Sequence, residues 1–444
     1  MSNSPRKTVK FLIVGAGPGG ISSASSIRRH LQLLPPFDGS DPSLPQIEYE
    51  LFEMKKHVGE HVGVQYSLAL GNRERWDAVF GDKGMNIRDK VDPLVTELKE
   101  VRYVYGDGRP IWSRVVPKGS DVGKYIGQAK RAALLEAMID TLPKDKVQYN
   151  KQIVSWRQWE ENGGGVELNF ADGTTAKGDF LIASDGIYSQ FRLKYIPESM
   201  PVVTDIGSIY LLARIPKDAK DPITEKLRHM VNVECTSLTS LAKDSTAGIF
   251  PLRNDELCIF LEVRKPWENA NLPAGQTLEE TPFEQLREIG IRMSNLEHAA
   301  NPVLAKSFEY ALNAGFTVWR LKHLPDVPYS LQGRILLMGD AVHAMIPYLG
   351  RGAVTAIEDG AMLGPALRDG LVKGKTVAQV LKQYADERLP VTQAMWAMTL
   401  REMDNWWEIG AGNRDPSKLV LAEMDAARRK KVEGGGKKKA KAQL

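Results

Sequence analysis

The 444-residue chain has only two cysteines, Cys235 and Cys258, which is too few for a disulfide framework, and they lack the CxxC spacing of a zinc site. Such a chain fits a reducing compartment. No apolar run approaches the roughly 20 residues of a membrane-spanning helix. The run Phe11-Leu12-Ile13-Val14 near the amino terminus stops at Gly15, too short for a secretory core. A large excess of one charge is also missing from most of the length. The formal net charge is +4, but from Arg428 onward eight Lys or Arg stand against Glu433 alone, a local +7 that leaves residues 1–427 at −3. A mildly acidic body argues against a nucleic-acid surface. No internal repeat is present. Hydrophobic residues make up 43% of the chain, enough for a large core and two domains.

Glycine is plentiful, and it is placed. Gly15-Ala16-Gly17-Pro18-Gly19-Gly20 follows the apolar run 11–14 and precedes an amphipathic stretch, so strand, tight turn and helix fit there in order. Asp185-Gly186 follows the apolar run Phe180-Leu181-Ile182-Ala183. Gly339-Asp340-Ala341-Val342-His343 follows Ile335-Leu336-Leu337-Met338 and leads to Pro347 and Gly350-Arg351-Gly352. Each motif lies where the chain leaves an apolar strand.

Residues 9–53 read as a βαβ unit: strand 9–14, a helix from Pro18 to about Leu33, and a strand 47–53. The Pro/Gly/Ser/Asp run 35–45 between them is a surface loop. That insertion explains why Glu53, a candidate for the ribose hydroxyls, lies more than the usual ~20 residues beyond the glycines. A helix is expected at 130–138 and a strand at 166–170. Short β-type runs fill 200–325. Helices rich in Met and Trp follow, and the Gly- and Lys-rich end reads as disordered.

The three motifs in this order resemble the single-component FAD-dependent aromatic hydroxylases, the para-hydroxybenzoate and salicylate hydroxylase-like monooxygenases. The resemblance implies an α/β fold: a Rossmann-like FAD-binding domain of the glutathione-reductase type with an inserted β-sheet substrate domain and C-terminal helices. The expected boundaries are 1–190 plus 326–404 for FAD, 191–325 for substrate, 405–427 for a helical segment and 428–444 for the basic tail. Absences separate the chain from other flavoproteins. No redox CxxxxC pair is present, Asn405-Trp406-Trp407-Glu408 does not match the halogenase signature, and Gly410-Ala411-Gly412 lacks the preceding strand and third glycine of a second nucleotide motif.

For cofactor binding, the resemblance singles out Gly15, Gly17, Gly20, Glu53, Gly63, Arg131, Asp185, Asp340, Gly352 and Ala353. Gly15, Gly17 and Gly20 open the pyrophosphate turn, and Glu53 takes the ribose. Gly63 belongs to a glycine-rich loop along the flavin, and Arg131 reaches the FAD linker. Asp185, with Ser189 and Arg192, lies near the pyrophosphate and the incoming nicotinamide nucleotide. Asp340 holds the ribityl hydroxyls, and the helix near Gly352 and Ala353 points its amino end at the ring. Arg351 departs from the family, in which many members have Gln. For substrate, the candidates are Tyr210 as hydroxyl partner, Arg214 as carboxylate clamp and backbone near Pro347, with His229 and Arg253 as weaker ones. The tyrosine role known in the family would fall near Thr204 and does not transfer.

The implied chemistry is reduction of FAD by NADH or NADPH, then O2 activation as a C4a-hydroperoxide and transfer of one oxygen to a phenolic or related aromatic ring, with or without decarboxylation. Other readings stay open: an epoxidase or hydroxylase of indole or polyketide metabolism, or a flavin-binding redox module without turnover. The expected partners are a small aromatic substrate, O2 and NAD(P)H, with no nucleic acid and no membrane span, in a monomer or homodimer. The expected location is cytoplasmic. The end Ala442-Gln443-Leu444 is a loose relative of the peroxisomal Ser-Lys-Leu address.

Overall fold

Fully apolar runs set the first sheet, because a parallel strand covered on both faces needs no polar alternation. In the computed structural model, which describes residues 7–58, 65–69, 88–116, 126–265, 272, 276–424 and 426–427, Thr8–Val14 pairs in parallel with Gln46–Phe52 on one side and Phe180–Ala183 on the other. Ile335–Leu337 extends the sheet beyond Phe180–Ala183, with the short antiparallel Leu331–Gln332 at that edge. Val147–Gln148 lies at the other. Along Thr8–Val14 the buried side chains alternate. Phe11 and Ile13 enter one core with Ile21, Ile27 and Ile357, while Leu12 and Val14 enter another with Val166, Leu168 and Phe191.

The first motif helix, Pro18–Arg28, packs against the helix Gly352–Val372 through small residues. A Cβ on Gly360 would lie 2.3 Å from Ser22 Oγ, and one on Gly364 2.2 Å from Ser26 Oγ. Gly19 meets Ala356 in the same series. Because the contacts advance in step along both chains, the two helices run parallel and begin at the same end. That places two positive dipole ends side by side.

The chain forms two compact units. The first contains Met1–Glu97, Pro117–Thr204 and Leu321–Trp396, and the second Leu98–Val116, Asp205–Arg320 and the chain from Ala397. The expected strands and the 130–138 helix appear as Thr8–Val14, Gln46–Phe52, Gly165–Phe170 and Arg131–Ile139. The first motif helix ends earlier than expected. From Arg29 to Leu33 the winding widens, with Leu34 N–H donating to Arg29 O at 3.1 Å, ahead of Pro35-Pro36, which cannot continue a helix.

The second unit is a seven-stranded sheet in the order Ala311–His323, Val202–Arg214, Glu256–Arg264, Ser245–Pro251, Thr236–Leu241, Glu100–Tyr105, Pro110–Val115. Its last two strands come from 98–116, which the sequence reading had placed with the first domain. Glu100–Tyr105 pairs in parallel with Thr236–Leu241, a contact between segments more than a hundred residues apart. One sheet face packs Ile209, Leu211, Ile259 and Leu261 against Leu286 and Leu304 of the helices Phe283–Glu297 and Pro302–Glu309. Among the described residues no helix is long and apolar enough to cross a membrane.

Candidate functional site

All three glycine motifs meet at Ser184. Gly15 takes φ +94°, and a Cβ there would lie 2.3 Å from the Ser184 carbonyl oxygen. A Cβ on Gly19 would lie 2.7 Å from Ser184 Oγ. One on Gly339, whose φ is +59°, would lie 3.7 Å from the same atom and 3.2 Å from Ala356 Cβ. Gly20 is equally closed, with the Gly15 carbonyl oxygen 1.9 Å from any Cβ. Gly17 differs, having nothing within 4 Å of that position. Gly15 and Gly20 let backbones touch and Gly19 and Gly339 let small side chains approach, while the open Gly17 leaves room for a ligand against the chain.

The helix after Gly17 begins without a side-chain cap and with Pro18 in its first turn, and the helix at Gly352 also lacks a side-chain cap. Uncapped first-turn N–H groups at two adjacent helix starts suit a phosphate or an anionic ring edge. Glu53, 2% exposed at the end of Gln46–Phe52, braces the turn. Its Oε2 accepts from Ala16 N–H at 2.8 Å and its Oε1 from Lys55 N–H at 2.9 Å.

Asp185 accepts from Gln190 N–H at 3.0 Å through Oδ2, while its Oδ1 is buried without a partner. Burial pushes its carboxyl up to about 6, against hydrogen bonds from Ser189 and the Asp185 and Gln190 backbone and the nearby Arg192. Arg192 is fully buried and bonds only uncharged groups: Ser199 Oγ at 2.9 Å, Ala341 O at 2.8 Å and Ile187 O at 2.6 Å. It ties the Asp185 turn to the peptide after Asp340.

Asp340 opens the short helix Asp340–His343. The residue is exposed, yet the protein around its carboxyl raises it by desolvation, opposed by His343 and Arg131 and reinforced by Asp359. Arg131, first residue of Arg131–Ile139, therefore lies within electrostatic reach of Asp340. Gly352 and Ala353 form the first turn of Gly352–Val372. Pro347 is exposed at the start of the turn Pro347–Leu349. Gly63 and the basic tail lie outside the described residues.

The substrate candidates Tyr210 and Arg214 belong to the second unit. Tyr210 stacks on Trp319 at 5.3 Å and on Phe260 at 5.6 Å, and Phe260 stacks on Phe250 at 5.1 Å. Burial, then Glu262 and Cys258, and a hydrogen bond to Glu262 hold the Tyr210 phenol well above its ordinary range. Ser208 Oγ and Thr317 Oγ1, on the strands of Tyr210 and Trp319, are buried without partners. Arg214, at the far end of its strand, is ion-paired with Glu256. His229 lies 3.7 Å from Glu234, Arg253 is exposed, and Thr204 Oγ1 donates to Leu321 O at 3.0 Å.

Sequence reasoning missed Ser184 and Ala356 as the meeting point. The signals were present, a small residue directly before Asp185-Gly186 and another one turn into the last motif helix. The buried orphan on Asp185, the space beside Gly17 and the accessible Asp340 carboxylate fit an FAD.

Residues 122–399 match the family model described as an FAD binding domain. The chain is 28% identical over 297 residues to a salicylate hydroxylase of Pseudomonas putida, an alignment covering 63% of this chain and 64% of that protein, just under two thirds of the relative's length. A 6-methylsalicylate 1-monooxygenase of Aspergillus terreus is 24% identical over 398 residues, with 88% and 81% covered. Among solved structures, HpxO of Klebsiella pneumoniae complexed with FAD and uric acid superposes with a TM-score of 0.69 at 18% identity, covering 96% of this chain and 95% of that one.

Proposed function

From the premise that the chain belongs to the FAD-binding domain family of aromatic-type monooxygenases, we propose that it uses NADH or NADPH and O2 to hydroxylate a phenolic or related aromatic ring. The observation that carries this reading is the convergence of three glycine motifs on Ser184, with Gly17 open, Asp185 half-satisfied and Asp340 accessible beside them.

In this reading Gly17 and the helix starts at Pro18 and Gly352 receive the phosphates and the ring edge, Glu53 the adenosine ribose, and Asp340 with Arg131 the chain between. Bound FAD supplies the electron storage and O2 activation that no side chain offers. The protein's own work is to bind, orient and exclude water. Asp185, with its buried Oδ1 left for a donor, stands where an incoming nicotinamide dinucleotide would pass. Within the second unit, the Tyr210–Trp319 stack supplies a flat wall for a planar ring, and the hydroxyls of Ser208 and Thr317 supply partners for a polar substituent.

The test is a screen of purified protein for NAD(P)H oxidation with phenolic acids, phenols and purine-like rings. Oxidation stimulated by one class is the expected result. A colourless protein, or a yellow one that nothing stimulates, would overturn the reading.

A further inference from the structure

Two adjacent carboxylates on Gly352–Val372, Glu358 and Asp359, are buried to 8% and 2% exposure. Asp359 is the more heavily used. Its Oδ2 accepts from Gly339 N–H at 3.0 Å and lies 2.7 Å from His343 Nε2, and its Oδ1 accepts from Arg388 Nε at 2.7 Å. The Tyr384 hydroxyl donates to its backbone carbonyl at 2.8 Å. Arg388, from the helix Val377–Gly410, also donates to Thr355 O at 3.2 Å and Glu358 Oε2 at 3.4 Å. Glu358 Oε1 in turn accepts from Arg351 at 3.1 Å. The result is a hydrogen-bonded chain Arg351–Glu358–Arg388–Asp359–His343 from the Gly350–Gly352 loop to the Gly339–Asp340 turn.

Such a chain is poor value as a stabiliser, because desolvating its charges costs several kcal/mol per ion and apolar replacement is often neutral or better. What it does supply is placement. The Asp340–His343 helix has no side-chain cap, and the one side chain that accepts from Gly339 N–H is Asp359, twenty residues along. His343, in the same short helix as Asp340, is held by the same oxygen. The peptide carrying Asp340 is thus gripped on both sides by one carboxylate.

We propose that Asp359 is a positioning residue for FAD, fixing the Gly339–Asp340 turn before the cofactor arrives, and that Arg388, Glu358 and Arg351 hold Asp359 in that pose. This rests on the reading that Asp340 contacts the cofactor. It also gives Arg351, where many relatives have Gln, a role at the outer end of the chain.

The test is a double-mutant cycle on FAD affinity, read by flavin fluorescence on full-length apoprotein with the visible circular dichroism of the bound flavin as a second signal. Asp340→Asn and Asp359→Asn are each expected to raise the FAD Kd about tenfold or more, and the double variant to lose little beyond the worse single one, since the two act through one contact. Asp359→Asn should also change the flavin dichroism. Fully additive losses, or an Asp359→Asn protein with wild-type Kd and dichroism, would overturn the proposal. An Asp340→Asn protein with wild-type Kd would instead overturn the underlying placement of the cofactor. Should Asp359→Asn not fold, His343→Gln and His343→Leu replace it. Gln can still donate to Asp359 and should retain affinity, Leu should lose it, and equal losses would contradict the proposal.

Discussion

Gly15 and Ser184 stand closer than any residue but glycine permits, with the Ser184 carbonyl oxygen 2.3 Å from where a Gly15 Cβ would be. Gly15→Ala adds a backbone clash to a positive φ, so the expected loss is on the order of 2–4 kcal/mol, read as a lower apoprotein denaturation midpoint. Gly17→Ala makes the contrasting case. With φ −78° and open space around it, it should leave apoprotein stability within about 0.5 kcal/mol while weakening FAD binding. Equal effects of both on the apoprotein would contradict the distinction.

Arg192 donates to three uncharged acceptors, so its removal strands all of them. Arg192→Met is expected to cost about 3 kcal/mol or more in urea unfolding, and Arg192→Lys to recover only part, because an ammonium cannot reproduce the guanidinium fork. A neutral Arg192→Met would show that the link between the Asp185 and Asp340 turns is dispensable.

His298 is fully buried between Ser240 Oγ at 2.8 Å and Ser245 Oγ at 3.0 Å, and burial lowers its pKa from 6.5 to about 4. The unfolded chain therefore binds the proton more readily. Stability is full above pH 6.5 and is lost as pH falls from 6.5 to about 4, by about 3 kcal/mol from this group. Thermal melts across that range should show the slope in the wild type and a flatter one in His298→Gln.

Tyr210→Phe keeps the ring against Trp319 and removes the hydroxyl from Glu262. Stability should fall by about 1 kcal/mol with flavin content unchanged. In steady-state assays, KM for a stimulating aromatic should rise more than kcat changes. Loss of flavin instead would place Tyr210 in the wrong role.

The motif turns were legible because each is local: a strand, a glycine and a helix start are written in consecutive residues, and Asp340 and Asp185 come with them. The position of Glu53 just past a strand end was legible through the strand before it. What was not legible is long-range. Nothing near Gly339 points to Asp359, nothing near Asp359 points to Arg388, and the strands of 98–116 owe their place to pairing with Thr236–Leu241. Arg214 illustrates the limit from the other side. The resemblance of its strand to one lining a substrate pocket in the family suggested a clamp, while its partner Glu256 lies on the neighbouring strand and is set by register.

The most direct test of the central claim is turnover under ¹⁸O₂ with NAD(P)H and the aromatic that most stimulates oxidation, read by product mass. The account predicts one labelled oxygen in the ring product, matched to consumed NAD(P)H. Reductant consumption that yields only hydrogen peroxide with every aromatic tested, and no labelled product, would contradict it.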